Sequence, residues 1–344
     1  MNVQQLLARS TDAEDAAQSH GLPDGAWSPL EMAFWCVPVA VFFLFPDYLV
    51  FGSQVLIVGL FALSLDLVLG YAGIVSLGHA GFFGLGAYAA GLLAAHGWGE
   101  PLTGLAAGAV VAALAGFCVS FLVVRGQDLT RLMVTLGIGL MLYEAANKMA
   151  FLTGGVDGLS GVTMSNLLGT FEFDLAGRTG YVYSLVVLFL VFALLRRLVR
   201  SPFGLSLRGI QQGPKRMPAL GADVRMRLVA AFTVSAAIAG VAGGLLAQTT
   251  QFVGLDSLGF SRSAELLIML VLGGAGRLYG ALIGAAVFML AQDVLAGINP
   301  VYWQFWIGLL LMVIVLFARG GILGGVEAAV SAIRAWHARK GGAA

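Results

Sequence analysis

The sequence predicts an all-α, polytopic helical membrane protein with about 8–10 transmembrane segments, some of them broken or re-entrant. Three observations predict it. Of 344 residues, 59% are hydrophobic and only 11% are charged, against about 25% charged residues in an average soluble chain. The mean hydropathy is +0.91. Apolar runs recur along the chain at close to the roughly 20 residues that a helix needs to cross a bilayer. A soluble domain of this size has no interior large enough to hide so much apolar sequence.

Residues 1–29 are polar and read as an amino-terminal extension without a cleavable signal. A transmembrane domain is expected over 30–320 and a short tail over 321–344. The candidate spans fall at 30–46, 48–69, 75–95, 102–124, 132–151, 181–199, 228–249, 262–275, 279–297 and 302–318. The first and the eighth are short. The eighth ends in GGAGR and reads as a half-helix. The stretch from Gly70 to Gly78 reads as re-entrant or unwound, because glycine costs a helix interior about 0.5–1 kcal/mol against alanine.

Orientation follows the positive-inside rule. Between Arg196 and Arg227 lie eight basic residues (Arg196, Arg197, Arg200, Arg208, Lys215, Arg216, Arg225, Arg227) and one acid, Asp223. The loop 152–180 carries Arg178 against Asp157, Glu172 and Asp174. The segment 200–227 is therefore expected in the cytoplasm, with both termini, and the loop 152–180 outside. Tyr302, Trp303 and Trp306 fit an aromatic belt at the outer interface.

Small residues form stripes at helical spacing: Ala80, Gly84, Ala87, Gly91 and Ala94; Gly104, Gly108, Ala112 and Gly116; Ala236, Gly240, Gly243 and Ala247; Gly280 and Gly284. Such stripes let helix backbones approach closely in lipid, where packing drives association. One internal echo is visible, LVLGYAG at 67–73 and LVLGGAG at 270–276. Transporters built from repeats place glycine-broken helices at matching positions.

Catalytic signatures are missing. None of Lys148, Lys215 and Lys340 follows a GxxxxG frame, so the chain has no nucleotide-cradling loop of that type. His20, His79, His96 and His337 are scattered, and no HExxH, CxxC or carboxylate cluster offers a metal site. No GxSxG elbow occurs. The reading assigns no catalytic and no metal-binding residue. Cys36 and Cys118 lie in apolar runs and are expected as buried thiols rather than a disulfide.

Ionisable groups at membrane depth carry the remaining signals. Asp66 is expected at headgroup depth or capping a neighbouring half-helix. Glu144 and Lys148 are one turn apart and are expected to pair. Glu265 is expected to cap the start of its helix. Ser76 and His79, three residues apart, are expected on one helix face, supplying partners to backbone freed at Gly70, Gly73 and Gly78. Gly73, Ser76, His79, Gly273 and Gly274 are the candidate pathway residues. In the basic segment, RSPFGLSLRGIQQ reads as a turn and a short helix that Gly213-Pro214 ends. KRMPALGADV reads as a further helical turn stopped by Gly221. A short amphipathic helix there fits an anionic membrane surface or the groove of a soluble partner.

GYAGIVSLGHAGFFGLGAYAAG, RSPFGLSLRGI, PALGADV, SAAIAGVAGGLLA and SAELLIMLVLGGAGRLYGALIGA together resemble the permease subunits of branched-chain amino acid ABC importers. The likeness is closer to the LivM type than to its LivH-type partner, and it covers roughly 45–325. The resemblance implies a multi-pass subunit of a bacterial inner membrane that binds no cofactor itself. It implies a second homologous permease, two cytoplasmic ATPases that bind ATP and magnesium, and an extracytoplasmic substrate-binding protein. Nucleic acid is not among the implied partners. It implies an ATPase-coupling role for Pro202, Phe203, Gly204, Arg208, Ala219, Leu220 and Gly221. Hydrophobic amino acids are the implied cargo, with urea or short amides as the alternative. Lys215-Arg216-Met217-Pro218 departs from the acidic, alanine-rich run usual at that place. Readings from other classes are an ion-coupled carrier using Asp66 and an intramembrane lipid-modifying enzyme using His79.

Overall fold

The computed structural model describes residues 29–167, 169, 171, 172, 174, 176–300, 302, 303, 305–309, 312 and 321–325. The described residues divide into two units between Leu44 and Phe45. The first is helix α1, Pro29–Leu44, with Pro38 inside it. The second begins with a 3₁₀ turn, Pro46–Tyr48, that leads into α2, Leu49–Asp66. Helices α3, His79–Ala95, α4, Pro101–Val123, and α5, Asp128–Lys148, follow. Then come α6, Arg178–Arg200, α7, Pro202–Gln212, α8, Val224–Thr250, α9, Phe260–Gly273, and α10, Leu278–Ile298.

Among the described residues, six helical stretches are long and apolar enough to cross a membrane: Pro46–Tyr71, Pro101–Val123, Leu129–Lys148, Arg178–Arg200, Val224–Thr250 and Leu278–Ile298. Glu31–Leu44 and His79–Ala95 are shorter apolar helices. The chain is a polytopic all-α membrane protein. Two expected spans need new bounds. The one drawn from 75 starts at His79, because 72–78 is not helical. The one drawn at 262–275 is the 14-residue helix α9, about 21 Å at 1.5 Å per residue, too short to cross. The extension 1–28, most of 302–318 and the tail from 326 lie outside the described residues.

Outward faces are apolar. Val110, Leu114, Phe117 and Leu122 on α4, Met133, Leu140 and Met141 on α5, and Val186, Leu190 and Leu194 on α6 are all exposed. Water would penalise such a surface, whereas lipid solvates it. Cys36 and Cys118 are exposed free thiols, not buried ones.

Helix α8 is the hub and packs on α2, α3 and α4. Its small stripe meets the stripe of α4 as the spacing predicts. A Cβ at Gly240 would lie 2.5 Å from that of Ala112 and would fall on the carbonyl of Gly108. Gly86 of α3, which belongs to no expected stripe, abuts the backbone of Gly240. Three backbones therefore touch with no side chain between them. Gly280 and Gly284 of α10 pack likewise on the end of α9, where Gly284 approaches the carbonyl of Met269.

Candidate functional site

Two chain breaks, one surface helix and one cavity organise the site. Helix α8 starts at 224, beside the basic segment, and ends at 250. The basic segment thus marks one end of the bundle, and the starts of α2 and α9 mark the other.

At the basic end, α7 begins at Ser201, whose extended backbone precedes Pro202 at the first helical position. Gly204 lies so close to the carbonyl of Val199 that any side chain there would clash. This folds α7 back on the end of α6. Gly204, Leu207 and Ile210 form the buried face of α7, Phe203 is half-buried, and Pro202 and Arg208 are exposed. Arg227 Nη1 donates to Ser206 Oγ at 2.7 Å, tying α7 to the start of α8. Next comes a 3₁₀ turn, Met217–Leu220, ended by Gly221 at φ 78°. Ala219, Leu220 and Gly221 are exposed, and Leu220 is 79% accessible. Asp223 caps α8, accepting from the Met226 amide at 3.1 Å.

Helix α2 widens into a π turn, Leu67–Tyr71, and then stops. Gly73 has φ 71°, a conformation glycine supplies without strain. The second break has the same form: Gly274 and Gly276 have φ 104° and 83° between α9 and α10. In the echoed sequences Gly73 and Gly276 are equivalent, so the same residue makes the same turn twice. The two breaks touch. Gly70 lies against Gly276, and Asp66 Oδ1 accepts from the Gly276 amide at 2.7 Å. Asp66 is wholly buried and holds the turn that precedes α10, rather than capping a helix start. Unpaired backbone at membrane depth is tolerated only when buried in protein like this.

The breaks also meet α7. The Arg208 guanidinium carbon lies 5.0 Å from the centroid of the Tyr71 ring, within cation–π range. A Cβ at Gly73 would lie 3.0 Å from Gln211 Cγ. The surface helix thus rests directly on the first break.

His79 opens α3 and is wholly buried. Its Nε2 lies 3.0 Å from Ser64 Oγ and 3.2 Å from Ser235 Oγ. Ser64 donates its proton to the Phe61 carbonyl, and Ser235 donates to the Ser64 carbonyl. A hydroxyl has one proton, so donor counting makes His79 Nε2 the donor to both serine oxygens. Ser76 precedes the helix and shares no helix face with His79, since the chain bends between them at Leu77 and Gly78. Its buried Oγ has no partner among the described residues. Side chains from distant helices pair two amides here, though not at the glycines for which the repair was expected. Thr135 Oγ1 accepts from the Leu77 amide at 3.2 Å, and Ser263 Oγ accepts from the Ala80 amide at 2.9 Å.

A cavity of about 200 Å³ opens among α2, α3, α8, α9 and α10, toward the end opposite the basic segment. Gln54, Val58 and Phe61 line it from α2 at helical spacing, and Arg262, Glu265, Leu266 and Met269 line it from α9. Leu246, Thr250, Phe83 and Met289 complete the wall. Arg262 Nη1 and Glu265 Oε2 are 3.5 Å apart. Glu265 is the sixth residue of α9, on this wall, and does not cap the helix start. Phe61 and Phe83 stand 4.4 Å apart between the cavity and His79, which stacks on Phe61 at 5.9 Å. His79 therefore lies behind the wall. Gly73 and the pair Gly273 and Gly274 lie at the breaks. Sequence reasoning missed Gln54 and Arg262; the signal was the Arg262, Glu265, Leu266, Met269 stripe. Glu144 and Lys148 are both exposed and make no ion pair among the described residues.

The family described as "Branched-chain amino acid transport system / permease component" matches residues 49–316. The chain is 30% identical over 284 residues to the high-affinity branched-chain amino acid transport system permease protein LivM of Escherichia coli. That alignment covers 76% of this chain and 66% of the relative, so the chain spans about two thirds of that relative's length. It is 29% identical to the Salmonella typhimurium LivM over 79% of this chain and 69% of the relative. It is 25% identical to the LivH permease of Escherichia coli over 78% of this chain and 91% of the relative. No solved structure matches the chain.

Proposed function

Because the chain belongs to the branched-chain amino acid transport system permease family, we propose that it is the non-catalytic transmembrane subunit of an ATP-driven importer of hydrophobic amino acids. It forms half of the translocation pathway in a bacterial inner membrane, paired with a second homologous permease. Two cytoplasmic ATPases bind ATP and magnesium and dock on residues 202–221. An extracytoplasmic binding protein delivers cargo to the opposite end.

The observation that carries this reading is the attachment of α7. The segment 202–221 offers the exposed Pro202, Ala219 and Leu220 to a partner, while Arg208 and Gln211 of α7 reach the first break. A push on α7 is thereby a push on the place where two discontinuous helices meet. Access changes as the breaks shift, and the side-chain-free seam of Gly86, Gly108 and Gly240 lets the helices adjust their crossing.

The test uses the whole complex in liposomes. Leucine uptake is expected to require internal ATP and the binding protein, and to survive ionophores. Leu220→Asp is expected to cut uptake at least tenfold by loosening the ATPases, read by their loss on gel filtration. The buried Oδ2 of Asp66, without a partner among the described residues, favours a second reading, an ion-coupled carrier. Uptake that collapses with ionophores and ignores ATP would select it.

A further inference from the structure

We propose that the cavity walled by α2, α3, α8, α9 and α10 binds a zwitterionic amino acid with an aliphatic side chain. Its carboxylate lies on Arg262 and its ammonium on Glu265. The proposal rests on the amino-acid import reading and adds where in this chain the cargo sits.

Charge comes first. Arg262 and Glu265 face the same space with opposite signs, 3.5 Å apart, and keep side-chain accessibilities of 42% and 29%. A net anion entering there meets Glu265 and the nearby Asp256, and a net cation meets Arg262. A zwitterion satisfies both halves at once through charge-assisted hydrogen bonds. Arg262 is further anchored by Asp256, 3.9 Å away, which holds the guanidinium at the rim. Gln54 has a side-chain amide with no hydrogen bond among the described residues, so it is free to serve the same head group.

Shape and polarity come next. Below the charged pair the wall is Val58, Phe61, Phe83, Leu266, Met269 and Met289. None of these can hydrogen-bond a sugar or a polar side chain, so such cargo loses its water without replacement. A cavity of about 200 Å³ has room for one aliphatic amino acid. The methionines adapt their shape to branched or unbranched chains. Opening away from the basic segment puts the mouth where a delivering protein arrives.

The test is photolabelling of the assembled permease–ATPase complex with the diazirine analogue of leucine, in the absence of nucleotide and binding protein. Adducts mapped by mass spectrometry are expected on the apolar wall residues, Leu246 included. Leucine is expected to compete at least tenfold better than 4-methylpentanoate, which lacks the ammonium, or 3-methylbutylamine, which lacks the carboxylate. Arg262→Gln and Glu265→Gln are each expected to lower labelling at least fivefold. Met289→Trp, which fills the cavity and leaves both charges, is expected to do the same. Adducts elsewhere, equal competition by the singly charged analogues, or undiminished labelling in the variants would overturn the site. If the charge variants do not assemble, wild-type competition and Met289→Trp decide it. A complex that imports leucine with ATP but is labelled elsewhere loses this site and keeps the import reading. Cavity labelling without ATP-driven uptake keeps the site and overturns the import reading.

Discussion

The two chain breaks share a heptapeptide pattern and differ at one decisive residue. LVLGYAG and LVLGGAG both end on a glycine with positive φ, Gly73 at 71° and Gly276 at 83°. At the fifth position the first has Tyr71 and the second has Gly274. The tyrosine gives the first break a platform, and Arg208 of α7 stacks on it. The second break has no such surface, and its glycines press backbone to backbone on Gly280 and Gly284. One break is thus built to be touched and the other to be packed. Local sequence dictates the turn, and a single side chain dictates what the turn is for.

The sharpest way to break that comparison is Gly70→Ala. A methyl there would fall on Asp66 Oδ1 and on the Gly276 amide, 2.7 Å or less from backbone that cannot yield. The expected cost exceeds the roughly 1–3 kcal/mol of ordinary overpacking, read as loss of monodisperse complex. Asp66→Ala comes second. It strands the buried Gly276 amide, a loss of about 1–3 kcal/mol, seen as a lower Tm of the purified complex. Asp66→Asn, which keeps an accepting oxygen, is expected to restore most of it. Gly276→Ala is third, since a left-handed backbone costs a non-glycine residue about 1–2 kcal/mol. Gly73→Ala carries the same left-handed cost but sets its methyl against the flexible Gln211 side chain instead of the Gly70 carbonyl, so its Tm loss is expected to be the smaller. The smallest effect sharpens the difference between the breaks. Tyr71→Leu removes a cation–π contact of about 0.5–1 kcal/mol. It is expected to lower leucine transported per ATP hydrolysed, and Tyr71→Phe, which keeps the buried ring, is expected to preserve that ratio.

Whatever depends on near neighbours in the chain was legible from the residues. The helical class, the end of α7 at Gly213, the Gly221 stop, the half-length of α9 and the small stripes all follow from local spacing. Which elements meet was not. Ser76 was expected beside His79 on a helix, but only the structure shows that α3 begins at His79. Partners for the freed amides come from Thr135 and Ser263, on helices distant in sequence. Glu265 read as a cap because an acid near a helix start satisfies the dipole. Its part in the cavity depends on α2 lying opposite, which no spacing within α9 can encode. The candidate pathway residues Gly73, Gly273 and Gly274 were found through glycine's backbone freedom. The cavity wall escaped notice because aromatic and methionine side chains are ordinary in any apolar helix.

The elbow at Ser201-Pro202 deserves a last consequence. With Gly204 seated on the Val199 carbonyl, α6 and α7 form one bent crank, and Arg227 on Ser206 ties its short arm to α8. A displacement of the short arm is therefore passed to the long arm instead of being taken up by swivelling at the corner.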